Sequence, residues 1–487
     1  MNHKKHYIII TLTLFLVSIL IPIYIPIINL AQASIPSDSS STTSTTDEIP
    51  PIHNTKSKPL PGGPTLNDPN LNLEQIFTGL DIPTSMAFVG PNDILVTEKN
   101  TGIVKRIVNG QLNPELPLDV SVANAKERGM LGIVATVNSS SAGDASANNN
   151  TNSPPYVFLY YTESRGTTDG GDADSEENVL GNRLYRYELI DNRLVNPKLL
   201  LDLPAHPPPD RIDYGRDHNG GKVLIGRDDN YVYVGIGNVA VHKGQAQNFV
   251  DGAPLDGTSG ILRVTQDGQV QPNPPLGSTQ PMSPYYYAYG IRNTFGMDFD
   301  PVTGKLWDTE NGPKFGDEIN LVEPGFNSGH SKIHGFAKDV TTVDSEDDDE
   351  SSSELATAAT NPVTDLVNFG GNGQYSDPEF VWTKPLGITA LKFLNTDKLG
   401  KQYQNTMFIG DVNLGWLYNF KLNPQRTGLL FDNSGPLADK IANTPEEIQE
   451  TIFGKGFGVI TDIQVSPYDG NLYVLTYSGS IYRITSL

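Results

Sequence analysis

The chain has 487 residues, no cysteine and a formal net charge of −22. Without thiols it can form neither disulfides nor a thiolate metal site, so its stability must come from packed apolar surface. The acidic balance, with no basic patch interleaved with aromatics, excludes nucleic acid as an expected partner.

The amino terminus carries Lys4 and Lys5 ahead of an apolar run from Tyr7 to Leu30, which ends in Ala31-Gln32-Ala33. A basic start, an apolar stretch and a small-x-small end predict an export signal over residues 1–33. The run is also long enough to cross a bilayer, so retention as a membrane tether is the second expectation. Residues 34–70 are rich in Ser, Thr and Pro and nearly free of large apolar side chains, and are read as a disordered linker. Polar stretches at 138–155, 165–177 and 344–360 are read as surface insertions, with glycosylation-type patterns at Asn138 and Asn149.

From Leu71 to Leu487 short β-rich runs alternate with Gly, Asp, Asn and Pro, with no long helical period. A unit of three such runs recurs along the chain. Its members are Ser85–Phe88, Ile94–Thr97 and Val104–Ile107, followed by Leu131–Val134, Val157–Tyr161 and Arg183–Tyr187. Next come Lys222–Ile225, Tyr231–Val234 and Ile261–Val264, then Gly296–Phe299, Lys305–Trp307 and Glu318–Val322. The last two are Leu391–Phe393, Met407–Ile409 and Trp416–Phe420, and Ile463–Val465, Leu472–Leu475 and Ser480–Ile484. Small sheets that cannot bury both faces alone predict radial stacking, so residues 71–487 are expected to form an all-β, six-bladed β-propeller of four-stranded antiparallel blades. A pair of β-sandwiches is the competing architecture. In a propeller the loops before each first strand line one mouth, where functional residues are sought first.

Those loops carry Gly129-Met130-Leu131-Gly132-Ile133, Asp217-His218-Asn219-Gly220-Gly221-Lys222 and Tyr289-Gly290-Ile291-Arg292-Asn293; Glu310-Asn311-Gly312-Pro313 and Asp317-Glu318-Ile319-Asn320 follow. In order and spacing these motifs resemble the soluble quinoprotein glucose/sorbosone dehydrogenases. The resemblance implies a propeller that holds pyrroloquinoline quinone (PQQ) with Ca2+ and oxidises an aldose or related polyol, passing electrons to an acceptor the residues do not specify. It implies that His218 is the general base, a task that suits an imidazole because its pKa lies near neutrality. It matches Arg292 and Asn293 to contacts on the quinone, Gly312 and Pro313 to carbonyl ligands of Ca2+, and Asp317 and Glu318 to an acidic pair near further calcium. Each has a plainer alternative: His218 as a turn residue, Arg292-Asn293 as a loop clamp, Asp317-Glu318 as a solvated turn.

The chain departs from the family pattern around the cofactor. Glu127 stands near the position of a family glutamine, and Asn238 where an aspartate orients the histidine; an amide cannot stabilise imidazolium by charge. Asn413 stands in the place of a cofactor-binding lysine, and Val459 and Thr461 in the places of two arginines that hold cofactor carboxylates. Two further readings therefore stay open. One is a non-catalytic propeller that binds carbohydrate or protein; the other is a calcium lactonase-type hydrolase, which would need Asn293, Asn413, Asp411 and Glu127 to converge on one ion.

Overall fold

The computed structural model of the protein describes residues 56–137, 154–171, 176–206, 216–241, 248, 254–339 and 362–487. The leader, the linker up to residue 55, Asn138, Asn149 and the acidic run at 344–360 lie outside the described residues.

The described strands form six sheets. Each contains one of the three-strand units read from the sequence, in antiparallel order, as in Pro83–Gly90, Asp93–Glu98 and Ile103–Val108 of the first. The first strands of consecutive sheets touch one another, and that of the last, Ile460–Val465, touches that of the first. The result is an all-β propeller in which apolar side chains from both faces of each inner strand pack between neighbouring sheets. Trp307, Phe380, Trp382, Tyr418 and Phe420, for instance, fill the space between the fourth and fifth sheets.

The expected six blades of four antiparallel strands are not what forms, because the sheets hold four, five or six strands. The third sheet gains Phe326–Asn327 and Gln374–Tyr375, and the fourth gains Ile441–Ala442, all paired in parallel. These two-residue strands cover outer edges that would otherwise expose unpaired backbone groups. Two residues carry no periodic pattern, so nothing in the sequence announced them.

Ring closure uses the start of the folded region. Leu71–Thr78 pairs with Ser480–Ser486 as the outer strand of the last sheet, and Thr65–Leu66 pairs with Ile452–Lys455 of the fifth. Residues 56–70, assigned to the linker on composition, are thus bonded to the propeller through backbone groups, and Leu66 packs against its core as well. Nearer the axis, the Lys222 ammonium of the third sheet pairs with Asp462 of the sixth at 2.8 Å, and both are buried. The same carboxylate accepts from Ser85 Oγ at 3.1 Å and from the Met86 amide at 2.9 Å, tying in the first sheet.

Candidate active site

Because successive strands alternate in direction, the loop before a first strand and the loop joining the second to the third emerge at the same end of a sheet. Glu127, His218, Asn238, Arg292, Asn293, Gly312, Asn413 and Val459 all sit in such loops, so the chain brings them to one mouth.

His218 lies in the left-handed backbone region, with φ of 62°, just before the strand Val223–Ile225. That conformation strains an L-residue by about 1–2 kcal/mol and needs outside support. The His218 amide donates to Glu127 Oε2 at 2.6 Å, the Tyr160 hydroxyl donates to the Asn219 carbonyl at 3.0 Å, and the Asn182 amide donates to Asn219 Oδ1 at 2.9 Å. A Cβ on Gly220 would lie 2.2 Å from the Gly235 carbonyl oxygen, so only glycine lets the loop approach that strand.

The imidazole is buried, and its Nδ1 lies 2.7 Å from Asn238 Oδ1. An amide oxygen only accepts, so Nδ1 carries the proton and the lone pair is at Nε2. Burial first, and then the nearby Arg292 guanidinium, lower the His218 pKa to about 3. The ring is therefore neutral across the physiological range. Asn238 is itself pinned, its amide donating to the Arg292 carbonyl at 3.0 Å. A Cβ on the intervening Gly237 would meet that carbonyl at 2.3 Å and the His218 Cβ at 2.9 Å, so the two loops are in direct contact there.

Asn238→Asp tests this arrangement. A carboxylate beside Nδ1 stabilises the imidazolium and raises the His218 pKa, so the acid limb of kcat/KM should move to higher pH. An acid limb unchanged in pH would overturn the assignment of Asn238 as the partner of the base.

Arg292 donates its amide to Glu310 Oε1 at 2.6 Å and an Nη1 hydrogen to the Asn311 carbonyl at 3.0 Å. Asn293 donates to Glu127 Oε2 at 3.1 Å, so one carboxylate joins the loops of the second, third and fourth sheets. Burial, and then the Asp217 carboxylate, raise the pKa of Glu127. Among the described residues, three buried amide atoms here have no hydrogen-bond partner: Asn238 Nδ2, a donor, and Asn293 Oδ1 and Asn311 Oδ1, acceptors. Buried polar groups are seldom left unsatisfied, so this trio is suited to receive an ion or ligand.

The remaining expected residues divide. Gly312 donates its amide to Asp317 Oδ1 at 2.9 Å, while Asp317 Oδ2 accepts from the amides of Leu386 and Gly387 at 2.7 and 2.8 Å. Asp317 is thus a staple that fixes the Gly312-Pro313 turn to the fifth sheet, with both oxygens already engaged. Glu318, the next residue of the same strand, projects to the opposite face. There it accepts from the Gly335 amide at 2.6 Å and lies opposite Glu310. The two carboxylates therefore point to opposite faces of the strand. Burial drives the pKa of Glu310 and Glu318 upward and that of Asp308 to about 7.

Asn413 donates to the Pro385 carbonyl at 3.2 Å, holding the fifth-sheet loops together. Asp411 accepts from the Leu414, Gly415 and Trp416 amides of its own turn and from the Tyr418 hydroxyl of the next strand, which leaves its carboxylate no free lone pair for the ion of the lactonase reading. No group of three or more acidic or histidine side chains among the described residues is arranged to hold a metal.

Glu310 was not singled out as a site residue from sequence, although it fixes the backbone of Arg292. The signal was present: Asp308 and Glu310 are carboxylates at alternate positions of a short strand whose other members are apolar or small. Of the other histidines, His330 is buried, with its ring 5.1 Å from that of His334. His206 bonds the Val179 carbonyl, and His242 lies outside the described residues.

Comparison with known proteins gives the same direction. The glucose/sorbosone dehydrogenase family pattern matches residues 80–483. Quinoprotein glucose dehydrogenase B of Acinetobacter calcoaceticus is 24% identical over 471 residues, covering 85% of this chain and 91% of that protein. Among solved structures, the soluble aldose sugar dehydrogenase of Escherichia coli in its apo form aligns with a TM-score of 0.61 at 20% identity, over 86% of this chain and 100% of that one. The PQQ-bound aldose sugar dehydrogenase of Streptomyces coelicolor aligns with a TM-score of 0.56 at 18% identity, over 87% and 99%.

Proposed function

We propose, from the premise that this chain belongs to the glucose/sorbosone dehydrogenase family, that it is an oxidoreductase that removes a hydride from an aldose or related polyol, with PQQ and Ca2+ as cofactors. The observation that carries the proposal is the neutral imidazole of His218, its tautomer fixed by Asn238 and its loop locked to that of Arg292. Export of the protein is part of the proposal and is supported by the Tyr7–Leu30 leader.

The residues suit these cofactors at one end of the mouth. Arg292 supplies fixed positive charge, and the unpartnered Asn238 Nδ2 and Asn293 Oδ1 supply a donor and an acceptor beside it. The Gly312-Pro313 turn, held by Asp317, would offer carbonyl oxygens, which are proper ligands for a hard cation. When bound, PQQ supplies the hydride acceptor and Ca2+ polarises it.

His218 Nε2 takes the proton of the hydroxyl on the carbon being oxidised, and the Nδ1 bond to Asn238 keeps the lone pair at Nε2 until that transfer. Arg292, anchored through Glu310 and the Asn311 carbonyl, holds its charge without reorganising as negative charge grows beside it.

The test is reconstitution of the purified protein with PQQ and Ca2+. A bound-quinone spectrum and dye reduction with members of an aldose panel are expected. Absence of both would sink the proposal in favour of a non-catalytic binding propeller, the reading favoured by the neutral residues at 413, 459 and 461.

A further inference from the structure

The fifth- and sixth-sheet side of the mouth has no cation of its own at the three positions where the family resemblance calls for one. Asn413 is bonded to the Pro385 carbonyl, Val459 is apolar and buried, and the Thr461 hydroxyl donates to the Leu475 carbonyl at 3.3 Å. An extended segment from outside the repeats crosses this side. The Ser57 amide donates to the Val412 carbonyl at 2.9 Å, and the Leu60 amide to the Gly456 carbonyl at 3.2 Å.

Its seat is built for it. Gly415, Gly456 and Gly458 all have positive φ, and a Cβ on each would meet Ser57 Oγ at 2.7 Å, Leu60 Cδ1 at 2.5 Å and Pro59 Cδ at 2.8 Å respectively. Three glycines thus remove the side chains that would lift the segment off the loops. At its start, the Lys56 ammonium lies 4.2 Å from the centroid of the Tyr477 ring. Tyr477 is bonded in turn to the backbone of Val459, its amide donating to that carbonyl at 2.9 Å. The contact with an aromatic face holds the ammonium without neutralising it, unlike a carboxylate partner.

We propose that Lys56 is an anion-binding residue of the mouth, carried in by this strap to supply the positive charge missing from Asn413, Val459 and Thr461. Its ligand is a carboxylate of the bound cofactor, an inference that rests on the proposed function. A cation is needed there because PQQ is a tricarboxylate, and bringing carboxylates out of water without partners is costly.

The experiment measures PQQ binding to the full chain in the presence of Ca2+, by quenching of protein fluorescence, at several salt concentrations. Lys56→Gln should weaken binding by about three- to tenfold and flatten its salt dependence, since one ion pair is lost. The melting temperature without PQQ should stay unchanged. Lys56→Arg should retain wild-type affinity, and Asn413→Lys should restore affinity in the Lys56→Gln background. If the wild type binds PQQ and Lys56→Gln binds it equally well with the same salt dependence, the inference about Lys56 is overturned while the proposed function stands. If the wild type binds no PQQ, both are overturned. A lowered melting temperature without PQQ, not restored by Asn413→Lys, would make Lys56 a structural residue and overturn the inference as well.

Discussion

Replacing His218 by asparagine should lower kcat of the reconstituted enzyme by about 10²- to 10⁴-fold, the usual contribution of a positioned general base. Asparagine is the better probe than alanine because residue 218 sits at φ of 62°, a region asparagine tolerates and alanine does not. The variant keeps the backbone amide that donates to Glu127, and with it the link between loops, but has no lone pair where Nε2 stood. Circular dichroism and thermal melting should match wild type. A turnover within a few-fold of wild type, with the fold intact, would remove His218 from the mechanism.

The second large effect concerns stability. Asp462→Ala should destabilise the protein by about 3–5 kcal/mol, as expected when one partner of a buried ion pair is removed and the other charge stays behind. Lys222 is 8% exposed and Asp462 1%, so the abandoned ammonium has little access to water. The Asp462 carboxylate also accepts from Ser85, Met86, Ile463 and Gln464, so the substitution orphans donors in two sheets at once. Lys222→Met should cost less, because the carboxylate keeps its amide and hydroxyl donors. Denaturant unfolding of both variants checks the ranking, and a loss below 1 kcal/mol for Asp462→Ala would mean that water reaches the pair.

The inner strands were legible in the sequence because each is buried on both faces and flanked by turn residues. Runs such as Tyr231–Val234 and Leu472–Leu475 therefore stand out against their surroundings. The mouth was legible in part for the same reason: Gly235-Ile236-Gly237 needs its glycines, because the loop of His218 lies directly against it. What escaped depended on partners remote in sequence. Phe326–Asn327 is a strand only because Tyr286–Tyr289 offers it an edge. Asp317 was matched to a calcium site through the resemblance alone, and its acceptance of three backbone amides from two loops depends on residues remote in sequence. Lys56 lay in a segment whose composition gave no reason to fold, since what holds it is the absence of side chains at three distant glycines.

The strand that seals the ring has a consequence in time. Thr78 and Ser480, whose hydroxyls meet at 3.1 Å, are 402 residues apart, so the early strand must wait through nearly all of synthesis for its mate. Long-range pairing of this kind makes folding slow. The strap bearing Lys56 precedes that early strand, and its own partners, Val412, Gly456 and Tyr477, also lie late in the chain. A shortened polypeptide ending before residue 480 lacks the strand that Leu71–Thr78 joins, which makes a sealed ring a readout of complete manufacture.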